Sequence, residues 1–173
     1  LARDVLFASL REMVASDDAR SVDRLSDVAA GLSEGELLQM REAYDVSLLP
    51  EQYLRRCTLK TADLFAVSCG FGARLSGLAE ESVGELEDFG RLLGLAFQIF
   101  DDILDFTGEE AQTGKRAGTD VRDGTVSLPL VFALQDVPDL GPLVADRGKD
   151  EAGVAQVVRR VRESGALQRA REA

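Results

Sequence analysis

The chain has 173 residues, of which 45% are hydrophobic, and it carries 31 acidic against 20 basic residues for a formal net charge of −11. This composition is typical of a globular protein with room for one substantial core. The acidic surplus argues against a nucleic-acid partner, because phosphate backbones are bound by surplus Lys and Arg.

The same inventory disfavours zinc sites and membrane spans. The chain has no histidine and no Cys-x-x-Cys pair, so no zinc site is expected. Cys57 and Cys69 fall on one predicted helix about 18 Å apart, so we expect core thiols, which favours a reducing compartment. We see no run of eighteen apolar residues and no leader of the secretory type. We therefore predict no transmembrane segment and a cytoplasmic location.

Periodicity of 3.6 residues and only four prolines predict an all-α fold in a single domain over residues 1–173. In chain order, the predicted helices lie at Ala2–Ala15, Ser21–Tyr44, Pro50–Leu75, Val83–Phe106, Ser127–Gln135, Leu140–Ala145, Asp150–Glu163 and from Ala166 onward. Pro50 suits a first helical turn, Gly77 suits a stop, and Ser82 begins a capping box. A second box at Ser33 lies inside the predicted Ser21–Tyr44 helix and leaves a break near Gly31 to Ser33 as an alternative.

The fourth predicted helix ends in the segment FQIFDDILDF, which places three acids within a strongly apolar run. Asp101 and Asp105 are four residues apart and share a face, and Asp102 lies three residues before Asp105. The apolar neighbours predict a helix enclosed by other helices. Unpaired carboxylates are costly there, and a hard divalent cation such as Mg²⁺ would compensate them. The alternative is a solvent-facing stripe or a helix end near water.

The segment that follows, Thr107 to Gly124, is rich in glycine and charge and is interpreted as a mobile loop. Lys115 and Arg116 lie within it between Gly114 and Gly118. Two cations on flexible backbone could close over a phosphate held by a metal at the acidic cluster. The alternative is that both are ordinary solvated loop charges.

These motifs resemble a known family. FQIFDDILDF followed by TGKRAGTDVRDGTVSLP is similar to the second aspartate-rich motif and the next loop of the trans-isoprenyl diphosphate synthases, or polyprenyl synthetases. YLRRCTLKTADLFAVSCGFGARLSG, residues 53–77, resembles the Lys-Thr-Ala helix of that family. The resemblance covers essentially all 173 residues. It implies an isoprenoid-synthase-type helical bundle, incomplete because the N-terminal helices are absent from this chain.

The resemblance assigns binding roles to particular residues. It implies Mg²⁺ as cofactor, with Asp101, Asp102 and Asp105 forming the metal site, Asp102 orienting waters or neighbouring cations. The implied diphosphate contacts are Lys60, Lys115 and Arg116.

It also implies catalytic roles for Lys60, Thr61 and Gln98. Thr61 and the amide oxygen of Gln98 would lie beside a developing allylic cation and stabilise its charge. Asp120, in the Gly-x-Asp step, would tie down the loop through Lys115 or another cation.

Two departures from the family pattern matter. Thr125 follows Gly124 where the family usually has Lys, so one cationic diphosphate contact is replaced by a hydroxyl. The first aspartate-rich motif is missing, because Asp17 and Asp18 have no third acid at the right spacing. We therefore expect the chain to begin after that motif, in mid-helix. The isopentenyl diphosphate site and the residues that set product length are then expected outside the chain.

The resemblance implies a trans-prenyltransferase that condenses an allylic prenyl diphosphate with isopentenyl diphosphate to give a longer linear product, acting as a homodimer. The alternative is a non-catalytic helical subunit, or a truncated fragment, that retains a residual Mg²⁺-diphosphate site. A terpene cyclase is a third possibility, and the Lys-Thr and Gly-Lys steps favour elongation over cyclisation.

Overall fold

The computed structural model describes residues 19–108, 117–146 and 151–173, and every regular element in these ranges is helical. The predicted all-α class is therefore confirmed. The elements are α1 (Ala19–Arg41), α2 (Pro50–Cys57), a π-helical turn π1 (Thr58–Ala62), α3 (Asp63–Leu75), α4 (Glu80–Thr107), α5 (Thr119–Asp123), α6 (Leu128–Asp136), α7 (Leu140–Ala145), α8 (Glu151–Glu163) and α9 (Ala166–Glu172).

Local signals explain several helix ends. Pro50 opens α2, and Pro129 lies in the first turn of α6, where a missing N–H costs nothing. Helix α3 ends at Leu75, and Gly77 adopts a left-handed φ of 75° just beyond it. The Gly77 N–H donates to the carbonyl of Arg74, and the predicted glycine stop is confirmed.

The alternative of a break near Gly31 is not realised, and two local predictions are wrong. Helix α1 continues through Gly31, and the Ser33 hydroxyl donates within the helix to the Ala29 carbonyl instead of capping a new one. Helix α4 begins at Glu80, so Ser82 lies inside its first turn and not at a cap. The segment predicted as a loop contains α5. The helix predicted at Ala2–Ala15 lies outside the described residues.

The chain divides into two compact units. The first unit comprises the described residues up to Gly35 together with Thr58–Gly94, and the second comprises Glu36–Cys57 together with the described residues from Leu95 onward. The single domain expected over residues 1–173 stays a prediction.

The first unit has a small apolar cluster and a close helix contact. Leu25, Val28 and Val67 are buried together. A Cβ added to Gly90 would lie 2.7 Å from the carbonyl oxygen of Phe65, and one added to Gly94 would lie 2.7 Å from the Cα of Ala62. Helix α4 therefore approaches α3 and π1 through backbone, which only glycine permits at these two positions.

The second unit contains the larger core. Its fully buried side chains include Tyr53, Phe106, Leu128, Leu130 and Leu140, drawn from α2, α4, α6 and α7. The second half of α4 contributes Ile99, Ile103 and Phe106 to this core at a helical spacing of three to four residues.

The opposite face of α4 is not covered by the described residues. Phe97, Phe100 and Leu104 are 57%, 54% and 51% exposed. The expectation that this helix is enclosed on all sides is thus wrong within the described ranges, because the described helices of this unit pack against one face only.

Neither cysteine forms a disulfide bond within the described residues. Cys57 is buried, as expected of a core thiol, whereas Cys69 is only half-buried. Among the residues that the structure describes, no helix has both the length and the apolar character needed to cross a membrane.

Candidate active site

The three acids of α4 lie in different environments although they occupy barely more than one helical turn. Asp101 is exposed, Asp105 is half-buried, and Asp102 is only 5% exposed. Asp102 is one residue on from Asp101, a rotation of about 100° about the helix axis. That rotation turns it towards the core of the second unit.

Asp102 lies at the centre of a buried hydrogen-bond network. The Tyr53 hydroxyl donates to its Oδ2 at 2.7 Å, and the Gln98 amide nitrogen donates to its Oδ1 at 2.9 Å. Burial raises the pKa of Asp102 to about 6, outweighing these two hydrogen bonds and the nearby charge of Arg56, which lower it. Burial, together with the charge on Asp102, also raises the pKa of Tyr53 above its usual value.

Arg56 supports this network from α2. Its side chain is 3% exposed, and its guanidinium donates to Glu42 at 2.6 Å and to the carbonyl oxygen of Val126 at 2.7 Å. It also lies over the Tyr53 ring, 5.5 Å from the centroid, within the range of a cation–π interaction. Arg56 is not among the site residues predicted from the sequence. The available signal was its position three residues after Tyr53, on the buried face of α2.

Asp105 anchors the start of α5. Its carboxylate accepts hydrogen bonds from the backbone N–H groups of Thr119 and Asp120, both at 3.1 Å. Its own carbonyl accepts from the Gly118 N–H at 2.9 Å, and Gly118 adopts a left-handed φ of 83°. A carboxylate at the N-terminus of a helix satisfies N–H groups that have no partner inside the helix. Asp105 therefore connects α4 to the N-terminus of α5.

Asp120 is a fourth acid in the same neighbourhood. Burial, together with the negative charges of Asp102, Asp105 and Asp101, raises its pKa to about 7. A divalent cation would relieve this mutual repulsion, and carboxylate oxygens are ligands that Mg²⁺ accepts. Within the described ranges, no three acidic, cysteine or histidine side chains could hold a metal ion by themselves. A bound Mg²⁺ would therefore need waters or phosphate oxygens to complete its coordination.

A family model for polyprenyl synthetases matches residues 1–161. The chain belongs to the polyprenyl synthetase family. This match confirms the resemblance drawn from the DDxxD and Lys-Thr motifs.

The curated relatives of this polyprenyl synthetase chain include a prenyl diphosphate synthase and a component of another. It is 34% identical to solanesyl-diphosphate synthase 2, chloroplastic, of Oryza sativa subsp. japonica, over 99% of the chain and 43% of that protein. It is 38% identical to heptaprenyl diphosphate synthase component 2 of Geobacillus stearothermophilus, over 96% of the chain and 52% of that protein. The chain spans about half the length of these curated relatives.

Solved structures share the fold. A heptaprenyl diphosphate synthase from Staphylococcus aureus aligns with a TM-score of 0.87 at 30% identity, over 93% of this chain and 51% of that one. A polyprenyl synthase from Caulobacter crescentus, complexed with calcium and isoprenyl diphosphate, aligns with a TM-score of 0.84 at 33% identity, over 91% and 50% of the two chains. The predicted isoprenoid-synthase-type helical fold is confirmed.

The other residues predicted for the site lie in different parts of the chain. Lys60 and Thr61 lie in π1 of the first unit, and both are half-buried. Single π turns inserted in helices are frequent at functional sites. Gln98 joins the acidic cluster through Asp102. Lys115 and Arg116 lie outside the described residues, and so does the contact expected between Lys115 and Asp120.

Thr125, at the position where the family usually has Lys, is held from two sides. Its backbone N–H donates to the Asp120 carbonyl at 2.8 Å, and its hydroxyl oxygen accepts from the Gln39 amide at 3.3 Å. Gly124 before it has a φ of 81°, and a Cβ there would lie 2.3 Å from the Tyr44 ring. The turn that positions Thr125 therefore requires glycine.

Proposed function

We propose that the protein containing this chain is a Mg²⁺-dependent trans-prenyltransferase. It would condense an allylic prenyl diphosphate with isopentenyl diphosphate to give a longer linear prenyl diphosphate. The observation that supports it most is the acidic locus where the Asp105 carboxylate accepts from the backbone N–H of Asp120, with Asp101 exposed one helical turn before Asp105. Such a locus suits a cation that in turn holds a phosphate.

The acids of α4 have different roles in this proposal. Asp101, which is exposed, would hold the metal. Asp105 and Asp102 already accept hydrogen bonds from the protein, so their parts in the metal site would be made through waters and neighbouring cations. Magnesium, when bound, would neutralise charge on the leaving diphosphate. The Caulobacter crescentus relative was solved in complex with calcium and isoprenyl diphosphate, which supports binding of a divalent cation and of a diphosphate by this fold.

Cationic side chains would bind the rest of the diphosphate. Lys60, Lys115 and Arg116 are the residues proposed for this task, since ionisation of an allylic diphosphate requires its departing negative charge to be stabilised. Thr125 would offer a hydroxyl in place of the usual lysine charge. We therefore expect weaker diphosphate binding than a Lys at position 125 would give.

The allylic cation would be stabilised by neutral oxygens and protected by apolar surface. The Gln98 amide oxygen and the Thr61 hydroxyl are the proposed stabilising groups. Phe97 and Phe100 flank Gln98 and Asp101 on α4 and present exposed apolar surface that can exclude water from the reacting carbon. A homodimer and a cytoplasmic location complete the proposal, and light scattering and cell fractionation test them.

A second candidate is a non-catalytic helical subunit with a residual Mg²⁺-diphosphate site. The observation in its favour is Thr125, whose hydroxyl brings no charge and already accepts a hydrogen bond from Gln39. The two candidates differ in turnover, because only the first consumes allylic diphosphate.

The decisive substitution is Asp101→Asn in the full natural protein. We expect it to weaken Mg²⁺-dependent binding of inorganic diphosphate by at least about tenfold, because a charged metal ligand is lost. Isothermal titration in MgCl₂ and in EDTA measures this. Asp88→Asn, at another exposed aspartate of α4, is the matched control and should bind as the wild type does. If Asp101→Asn binds diphosphate as tightly as the wild type, the proposed metal site is wrong. If the wild-type protein binds diphosphate but does not turn over allylic diphosphate, the second candidate is favoured.

A further inference from the structure

We infer that Tyr53 is a positioning residue for the proposed prenyl transfer and that it acts on Gln98 through Asp102. The inference rests on the proposed function, since it concerns the amide assigned there to the allylic cation. It stands on one continuous chain of contacts inside the second unit: the Tyr53 hydroxyl donates to one oxygen of Asp102, and the Gln98 amide nitrogen donates to the other.

The contact with Asp102 sets the orientation of the Gln98 amide. A carboxylate oxygen accepts hydrogen bonds, so it selects the nitrogen end of the amide at 2.9 Å and not the oxygen end. Because the amide group is planar, its oxygen is then directed away from Asp102. A flip of the amide by 180° would bring two acceptors together and is disfavoured as long as Asp102 is held in place.

Tyr53 is the group that holds Asp102. Its hydroxyl donates at 2.7 Å to Oδ2 of Asp102, the carboxylate oxygen that Gln98 does not contact. The Tyr53 side chain is only 1% exposed. Without that hydroxyl, a buried carboxylate oxygen would lose its donor. The carboxylate would then rotate more freely, which loosens the constraint on the amide.

Tyr53 is in turn fixed by a buried cation. The Arg56 guanidinium lies over the ring, and Arg56 is itself held by Glu42 and by the Val126 carbonyl. The support for Gln98 thus runs from α2 to α4 through side chains that have little freedom to move. Rigid support of this kind is what a reacting group needs, because small misplacements cost rate.

A double-mutant cycle in the full natural protein tests the inference. Tyr53→Phe removes only the hydroxyl, and Tyr44→Phe is the matched control, because Tyr44 is the other tyrosine and its hydroxyl donates to a backbone carbonyl, that of Arg122. We expect Tyr53→Phe to lower kcat about tenfold, the value of one lost charge-assisted hydrogen bond, and Tyr44→Phe to leave kcat within about twofold. Mg²⁺-dependent diphosphate binding should stay within about twofold for both variants.

The same change is then made in a Gln98→Leu background. If Tyr53 acts through Gln98, Tyr53→Phe should change kcat by less than about twofold there, because the group it positions is gone. An equal loss in both backgrounds, or no loss in the first, overturns the inference. If Tyr53→Phe does not fold, Arg56→Lys replaces it in the same cycle, because it keeps the buried positive charge but changes the group that lies over the Tyr53 ring, and the same non-additivity is expected.

Failure here is distinguishable from failure of the proposed function. Loss of the proposed function appears as an inactive wild type, or as an Asp101→Asn variant that still binds diphosphate with magnesium. Failure of the positioning role appears with an active wild type, a binding-deficient Asp101→Asn variant, and additive effects of Tyr53→Phe and Gln98→Leu.

Discussion

The two units handle charge in different ways. In the first unit, Arg91 pairs with Asp63 and Asp88 while remaining 37% exposed. In the second, Arg56 and Asp102 are buried, and each is held by hydrogen bonds to its neighbours. Charges at a surface contribute little to stability, whereas buried charges depend on every partner they have. The comparison indicates that the buried Arg56 and Asp102 depend on their partners more strongly than the half-exposed Arg91 does.

The largest effect is expected from removing the buried cation. Arg56→Met should lower the free energy of unfolding by about 3–5 kcal/mol, because it leaves Glu42 and the Val126 carbonyl without their donor. Arg91→Met, the matched change in the first unit, should cost less than about 1 kcal/mol. Urea unfolding followed by circular dichroism measures both.

Equal losses for the two arginine variants would break the comparison. In that case burial would not be what sets the contribution of each ion pair, and the network around Asp102 would have no special dependence on Arg56.

An intermediate effect is expected at the glycine contact of the first unit. In Gly90→Ala, the new methyl group would meet the Phe65 carbonyl at 2.7 Å and the Ala66 Cα at 2.9 Å, both backbone atoms. Overpacking of this kind costs about 1–3 kcal/mol. Gly84→Ala on the same helix meets nothing within 4 Å and should stabilise by about 0.5–1 kcal/mol.

Thermal unfolding separates the two glycine variants by the sign of the Tm shift. If Gly90→Ala were as stable as Gly84→Ala, the first unit would not depend on close backbone contact, and its small apolar cluster would have to account for its stability alone.

The smallest effect, taken per unit of pH, is the dependence of stability on pH. The pKa of Asp102 is raised to about 6 and that of Asp120 to about 7, above the ordinary value of about 3.9. The native state therefore holds these protons more tightly than the unfolded state. Their contribution is most favourable below about pH 4 and is lost as the pH rises towards 7, at up to about 1 kcal/mol per pH unit.

Tm measured from pH 5 to pH 7.5 tests this trend. Asp120→Asn should flatten the slope, whereas Asp88→Asn, at an exposed aspartate of the first unit, should not. Added MgCl₂ should raise Tm more at pH 7.5 than at pH 5, because a metal binds ionised carboxylates. A slope that Asp120→Asn leaves unchanged would show that other groups govern it.

Most helices could be predicted from sequence because their signals are local. Apolar residues spaced by three and four predict the helical residues of α2 and α3. Pro50 marks the start of α2, and Gly77 marks the end of α3. Helix α5 was missed because it is five residues long and lies in a polar, glycine-rich segment. Its start depends on hydrogen bonds to Asp105, which is fourteen residues away from Thr119 and leaves no local pattern.

The sequence by itself determined the helical class, the family and the presence of a DDxxD cluster on α4, since each depends on residue type and spacing along one chain. Only the tertiary structure decided which acid is exposed, which is buried and which anchors α5. Those roles depend on Tyr53, Gln98 and the backbone of α5, and on Arg56 behind Tyr53. The physical reason is that burial and hydrogen-bond partners come from other elements, and these set both the pKa and the freedom of a carboxylate.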